Sequence, residues 1–226
     1  MSYVLFDIGG TKTRVAVSED LKKFGDPVKF DTPANSAAGV KEVVSAVESL
    51  TSKPIRGVAG GIRGILNHDH TELIYDPGGA LEGWIEKPWL KDLEKALKAP
   101  VTVQNDAAIV GLGEAVFGAG KGEDIVVYHT VSTGVGGARI VNGTISPVEY
   151  GFEPGHQILD IDKTILGEDE EPTLENLISG GAIEARMGTK PYDIPQEDAI
   201  WDQLAGYLGV GLRNTILYWS PDVIVL

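Results

Sequence analysis

The chain is predicted to be an α/β protein in two parts, and three observations carry the prediction. Residues 3–6 and 15–17 are short apolar runs on either side of Asp7-Ile8-Gly9-Gly10-Thr11-Lys12-Thr13-Arg14, the pattern of two strands joined by a tight turn. Residues 125–131 open a second such unit, in which Ser132-Thr133-Gly134-Val135-Gly136-Gly137 leads into an apolar run at 138–141. Between and beyond these units, helical periodicity alternates with short apolar runs. The 226 residues, 42% of them hydrophobic, suffice for a full core and for one or two domains.

Taken in order, residues 28–32 extend the first hairpin as a third strand. Residues 36–50 place Val40, Val43, Val44, Val47 and Leu50 at helical spacing. A short buried strand at 56–59 runs into Gly60-Gly61. Residues 89–98 form an amphipathic helix that Pro100 ends, and Val101-Thr102-Val103 is a strand delivering Gln104-Asn105-Asp106-Ala107 to its carboxyl end. A helix from about 107 to 116 follows. The glycine-rich stretch 118–122 reads as a flexible break and sets the expected domains at 1–115 and 116–226. In the second part, 168–171 is an acidic loop. Residues 198–219 form a long helix with Ile200, Leu204, Leu208, Leu212, Ile216 and Trp219 on one face. The sequence closes on the apolar strand pattern 222–226, which suggests a fragment or a truncated gene product.

Composition excludes several classes of partner. A net charge of −14 gives no basic footprint for nucleic acid or an anionic membrane, although a few amides, one lysine and Mg²⁺ suffice for ATP. With no cysteine there is neither a disulfide nor a thiolate metal site. No signal segment opens the sequence and no apolar run approaches a membrane span, so a cytoplasmic protein is expected.

The chemistry concentrates in three places. The first turn offers an acid, adjacent glycines and a hydroxyl at a strand mouth. Glycines let backbone amides approach a ligand, successive amides make an anion-binding concavity, and a carboxylate there holds Mg²⁺, usually through water. A Gly-Gly hairpin with an incidental Asp has the same pattern, and neither turn has P-loop spacing. Two hydroxyl-bearing turns facing across a cleft would clamp one triphosphate. Asp106, at a strand end and a helix amino terminus, is the candidate general base; helix capping is the competing role. Glu153 and His156, with Glu175 nineteen positions after the histidine, are suited to adjacent sugar hydroxyls. His68, His70 and His129 read as satisfied or exposed residues, and a metal site from His68, Asp69 and His70 is disfavoured.

Along essentially its whole length the sequence resembles the ROK family of bacterial sugar kinases and related repressors. Asp7-Ile8-Gly9-Gly10-Thr11 resembles the family's first phosphate motif and Asn105-Asp106-Ala107 its catalytic segment. Gly113-Glu114-Ala115 with Phe117-Gly118-Ala119-Gly120 resembles the stretch that follows. Thr133-Gly134-Val135-Gly136-Gly137 resembles the second phosphate motif. Glu153, Gly155 and His156 fit its Glu-x-Gly-His sugar motif, and Leu174-Glu175 its next sugar-binding Glu. The resemblance implies an actin-like, ribonuclease-H-like fold of two α/β domains around a central cleft, here without its carboxyl-terminal part. It implies ATP-dependent phosphorylation of a hexose, glucose first, at the 6-hydroxyl. Asp106 would be the base, and Asn105, Asp106, Glu153, His156 and Glu175 would hold the sugar. Gly60 and Gly61 would line the sugar pocket by backbone. Asp7, Gly9, Gly10, Thr11, Lys12, Thr133 and Gly134 would serve nucleotide and metal, with Asp7 holding Mg²⁺ through water. A homodimer is the expected assembly. A non-catalytic sugar-binding or regulatory protein is the alternative.

Departures from the family pattern are specific. The three zinc cysteines correspond to Leu166, Glu168 and Thr173, so no zinc site is expected, and residues 160–172 must be ordered otherwise or remain mobile. Ser132 stands where a Gly is usual. Ala59-Gly60-Gly61-Ile62 replaces a Pro-Gly-Pro segment, and the usual Asn is not seen ahead of Gly83-Trp84.

Overall fold

In the computed structural model, which describes residues 1–76, 79–146 and 152–226, the first glycine turn joins β1 (Ser2–Ile8) to β2 (Lys12–Ser18) as an antiparallel pair. β1 alternates buried and half-buried positions, sending Val4, Phe6 and Ile8 into the core. β3 (Val28–Asp31) pairs with β2, and α1 (Ser36–Leu50) follows. The Asn35 side chain caps α1 by accepting from the Ala38 amide, and Val40, Val43, Ala46 and Val47 form its buried face. β4 (Ile55–Ile62) is longer than its apolar residues suggest: Gly60 and Gly61 stay in the strand because β4 pairs on both sides. β5 (Ile65–Leu66) and β6 (Leu73–Tyr75) make a small separate ribbon. α2 (Trp89–Leu97) packs Trp89 against Trp84 and Phe6 and stops at Lys98 in the left-handed conformation. β7 (Val101–Asn105) then completes a sheet of order β3-β2-β1-β4-β7, with β1, β4 and β7 parallel.

α3 (Asp106–Val116) follows β7 without an intervening loop. The chain divides into two units, 1–109 and 110–226, so the division falls within α3 rather than in the glycine-rich stretch after it. That stretch is an ordered helix end. The Gly118 and Gly120 amides donate to the Glu114 carbonyl at 3.1 and 3.0 Å, and the Ala119 amide donates to its carboxylate at 3.0 Å.

In the second unit, β8 (Ile125–Val131) and β9 (Val135–Val141) form the second hairpin, and β10 (Thr144–Ile145) pairs with β9. A 3-10 turn at Pro154–His156, α4 (Leu174–Ile178), α5 (Gly180–Met187) and α6 (Ile200–Trp219) lead to β11 (Val223–Val225), parallel to β8. Leu174, Leu177, Ile178, Ile183 and Leu204 pack with Val135 as the core of this unit. α6 buries Leu204, Gly211 and Thr215, whereas Ile216 is 54% exposed. A row taken every four residues drifts by about 40° per step on a helix of 3.6 residues per turn, so the predicted face rotates out of the core by Ile216. Among the described residues no helix is long and apolar enough to cross a membrane.

His129, expected to be satisfied or exposed, is fully buried. Its Nε2 lies 3.2 Å from the Thr215 hydroxyl and its ring meets Phe152 edge-on, while among the described residues Nδ1 has no partner. Burial holds its pKa down from 6.5 to about 4. The unfolded chain therefore takes up a proton that the folded chain refuses, and stability present above pH 6.5 is lost as pH falls toward 4. The expected loss is about 3 kcal/mol across that window. Urea titrations at a series of pH values measure it, and His129→Gln should flatten that part of the profile.

Candidate active site

β1, β4 and β7 run in the same direction, so their carboxyl ends coincide, the usual ligand-binding end of a parallel sheet. In register, Asp7 lies opposite Gly61 and Gly61 opposite Gln104; Ile8, Ile62 and Asn105 form the next row. One step further stand the Gly9-Gly10 turn, Arg63 and Asp106. The Gly9 amide closes the turn on the Lys12 carbonyl at 3.0 Å, and the Thr32 hydroxyl donates to the Gly9 carbonyl at 2.8 Å. Thr11 is exposed at the tip. Asp7 Oδ2 accepts from Arg14 Nη1 across the hairpin at 2.7 Å. The Lys12 ammonium pairs with Asp31, which its hydrogen bond and charge hold below the ordinary carboxylate value.

Asn105 and Asp106 divide two roles that the sequence leaves open. The cap of α3 is Asn105: its Oδ1 accepts from the Ala108 amide at 3.1 Å, and its Nδ2 donates to the Gly64 carbonyl at 3.1 Å. Asp106 is half-buried, and among the described residues its Oδ1 accepts from the adjacent Ala107 amide, at 2.8 Å. Burial pushes its carboxyl above the ordinary value. The Ala107 amide and the Arg63 charge pull against that shift, and the Asp7 charge adds to it. The neighbouring glycines permit this approach. A Cβ on Gly61 would lie 3.1 Å from Asp106 Cα, and one on Gly60 would lie 2.3 Å from the Phe6 carbonyl oxygen.

The second unit builds its own cluster. Residues 132–134 turn β8 into β9, with the Ser132 amide donating to the Gly134 carbonyl at 2.8 Å. The Gly180 and Gly181 amides at the start of α5 donate to the Ser132 and Thr133 carbonyls at 2.7 and 3.0 Å. Glu175 Oε2, on α4, accepts from the Val135 amide at 2.6 Å. Thr133 is exposed and Gly134 half-buried beside that carboxylate. Glu153 and His156 are exposed on either side of Pro154 and Gly155, and the turn packs tightly on β9: a Cβ on Gly155 would lie 2.2 Å from the Val135 carbonyl oxygen. The preceding residues 149–151 lie outside the described residues. The structure thus gathers Glu153, His156, Glu175, Thr133 and Gly134 around β9, and Asp7, Gly9, Gly10, Thr11, Lys12, Gly60, Gly61, Asn105 and Asp106 around one end of the first sheet.

Where cysteines would hold zinc, a carboxylate orders the chain. Asp160 is 4% exposed and accepts from the Thr164, Ile165 and Leu166 amides at 3.1, 3.0 and 2.8 Å. Burial pushes its pKa up, and these amides outweigh burial and hold it below the ordinary value. The segment is closed at its ends by an Ile158–Thr173 bridge. Among the described residues no group of three or more His, Cys, Asp and Glu side chains is placed to hold a metal ion.

Two α/β units, each with a strand–glycine turn–strand start, define an actin-like, ribonuclease-H-like protein, and solved structures share the fold. A Streptomyces griseus ROK family glucokinase in complex with glucose and AMPPNP superposes with a TM-score of 0.78 at 24% identity, over 99% of this chain and 82% of that one. The model of the ROK family matches residues 3–226, and the chain belongs to that family. A glucokinase of Halalkalibacterium halodurans is 32% identical over 99% of this chain and 79% of its own length. A fructokinase of Lactococcus lactis subsp. cremoris is 28% identical over 99% and 77%. The family also contains regulators: a xylose repressor of Bacillus subtilis is 24% identical over 75% of this chain and 47% of its own.

Arg63, whose amide donates to the Ile8 carbonyl at the sheet end that bears Asp106, has little local mark in the sequence. Its only signal there is a lone cation between glycines at a strand end, in Gly61-Ile62-Arg63-Gly64 of a strongly acidic chain.

Proposed function

We propose that the chain phosphorylates a hexose at its 6-hydroxyl, glucose first, with Mg-ATP as donor. The observation that carries this reading is Asp106: a half-buried carboxylate of raised pKa at the carboxyl ends of three parallel strands, the same sheet end that bears the Gly9-Gly10 turn. A base of this kind accepts the hydroxyl proton as the sugar oxygen bonds to the γ-phosphorus. The bond from phosphorus to the bridging oxygen breaks and ADP leaves. Phosphoryl transfer asks little covalent chemistry of the protein, so most of the acceleration comes from position and charge.

Glu153, His156 and Glu175 supply acceptors and donors for sugar hydroxyls. Asn105 holds the start of α3 and the Gly64 loop, so its contribution to the sugar comes largely through fixing Asp106. Gly9, Gly10 and Thr11 in the first unit, and Thr133 and Gly134 in the second, receive phosphates. Asp7 offers hard oxygen donors that suit Mg²⁺, held through water. The ion, when bound with the nucleotide, neutralises phosphate charge. The glucokinase and fructokinase relatives support a hexose substrate and differ over which one.

The test is ATP-dependent phosphorylation across glucose, fructose, mannose and N-acetylated hexoses. A sugar phosphate from at least one, with ADP in equal amount, is expected. Sugar binding without turnover would move the chain to the regulatory alternative, and ADP release indifferent to sugar would remove sugar phosphorylation altogether.

A further inference from the structure

We propose that the guanidinium of Arg63 binds the terminal phosphate presented at the Gly9-Gly10 turn. The inference extends the kinase reading, and it stands on the geometry of the first unit alone. The Arg63 amide donates to the Ile8 carbonyl at 3.0 Å, which places the residue beside the turn, one step beyond the end of β4. Its side chain lies over Gly10: a Cβ there would sit 3.3 Å from Arg63 Nη1, 3.5 Å from its Cδ and 2.9 Å from the Ala80 Cβ. A side chain at position 10 would thus meet Ala80 first and crowd the guanidinium, which lies close against the bare Gly10 backbone. A phosphate cradled by the turn lies within reach of the same Nη1.

The guanidinium is aimed from behind. Arg63 Nε donates to Asp76 Oδ1 at 3.0 Å, and the Asp76 side chain has no exposure while that of Arg63 keeps 36%. The second Asp76 oxygen accepts from the Leu81 amide at 2.6 Å. Fixing a buried carboxylate behind an arginine is costly unless its oxygens are satisfied, and here both are. Five N–H donors on one planar fork let the group hold Asp76 and receive phosphate oxygens together. The other cations of the hairpin are placed differently: Arg14 spans to Asp7, and Lys12 pairs with the exposed Asp31. Arg63 also pulls the Asp106 pKa down, so its charge reaches the carboxylate proposed as base. In a chain of net charge −14, an anchored cation at this position offsets the repulsion a polyphosphate would otherwise meet.

The test compares wild type, Arg63→Lys, Arg63→Gln and the double variant Arg63→Gln/Asp76→Asn, which leaves no carboxylate buried alone if the single change unfolds the protein. Arg56→Gln removes one positive charge at the exposed Arg56, which stacks on Tyr3, and serves as the charge control. Calorimetric titration with inorganic tripolyphosphate reads the contact without turnover. Binding should weaken roughly tenfold or more without the guanidinium, with Arg63→Lys intermediate and Arg56→Gln like wild type. With Mg-ATP and glucose, kcat/KM for the nucleotide should fall at least in proportion while glucose affinity holds. Equal tripolyphosphate binding by wild type and the glutamine variants, or none by wild type, would overturn the proposal. A wild type that never phosphorylates a sugar, yet loses tripolyphosphate with Arg63, would end the kinase reading and leave this contact standing.

Discussion

Asp106→Ala should lower the rate of sugar phosphorylation by about 10²–10⁴-fold, the usual contribution of a general base, without unfolding the chain. The structure separates the two effects. The cap of α3 is Asn105, whose Oδ1 accepts from the Ala108 amide, whereas the Asp106 side chain accepts from the adjacent Ala107 amide. Removing the Asp106 carboxyl leaves the helix start in place, so the thermal midpoint should stay close to wild type while turnover collapses. Asp106→Asn preserves the shape and still accepts from an amide, but cannot take a proton, so it should be as slow. The wild-type profile follows from the direction of the pKa. Burial holds the Asp106 carboxyl above the ordinary 3.8, and the base works only when ionised. Turnover is therefore full above the raised value and falls as pH drops through it, an arm that both variants should lack. A large fall in the midpoint of Asp106→Ala, in step with its loss of rate, would reassign the residue to structure.

Gly155→Ala should cost sugar affinity and stability together. Its added Cβ would meet the Val135 carbonyl oxygen at 2.2 Å and the Val135 Cβ at 3.0 Å, and a backbone contact so short cannot be relieved by a rotamer change. Either the 3-10 turn lifts or β9 shifts. If the turn lifts, Glu153 and His156 move with it. If β9 shifts, the Val135 amide moves from Glu175 Oε2, its acceptor at 2.6 Å. Both routes separate the three side chains proposed to hold the sugar. Overpacking of this kind costs about 1–3 kcal/mol, and glucose affinity measured by calorimetry should weaken roughly tenfold or more, since the displaced groups are hydrogen-bonding ones. Wild-type glucose affinity in a destabilised Gly155→Ala would detach the turn from sugar binding.

What could be read in the sequence was what local chemistry determines. Gly9-Gly10 and Thr133-Gly134 could be read as turns because each stands between two apolar runs, whereas Gly60-Gly61 stays inside β4, which is paired on both sides. Asn105-Asp106 at a strand end announces a helix start, although only the structure assigns the cap to Asn105, since either side chain can reach a free amide of the first turn. What escaped was set by partners distant in the chain. Arg63 gains meaning from Asp76, thirteen positions on, and from Gly10 on another strand, and no local pattern joins them. His129 became buried because β8 is covered by Phe152 and by Thr215 of α6. Asp160 accepts from three amides of its own loop, and a lone Asp between apolar residues carries no mark of that. The face of α6 departs from the four-residue row of Ile200, Leu204, Leu208, Leu212 and Ile216 because such a row drifts around the helix.

Asp106 is proposed to take the proton from a sugar hydroxyl while the γ-phosphoryl group of ATP passes to that oxygen, and a paired product assay checks both halves of that step. Wild type and Asp106→Asn are incubated with Mg-ATP, with and without glucose, and ADP and glucose 6-phosphate are quantified together. Sugar-dependent ADP release matched by glucose 6-phosphate is expected in the wild type, with product reduced about 10²-fold or more in the variant despite retained glucose binding. Equal product from both proteins, or ADP release at one rate whether or not sugar is present, would contradict it.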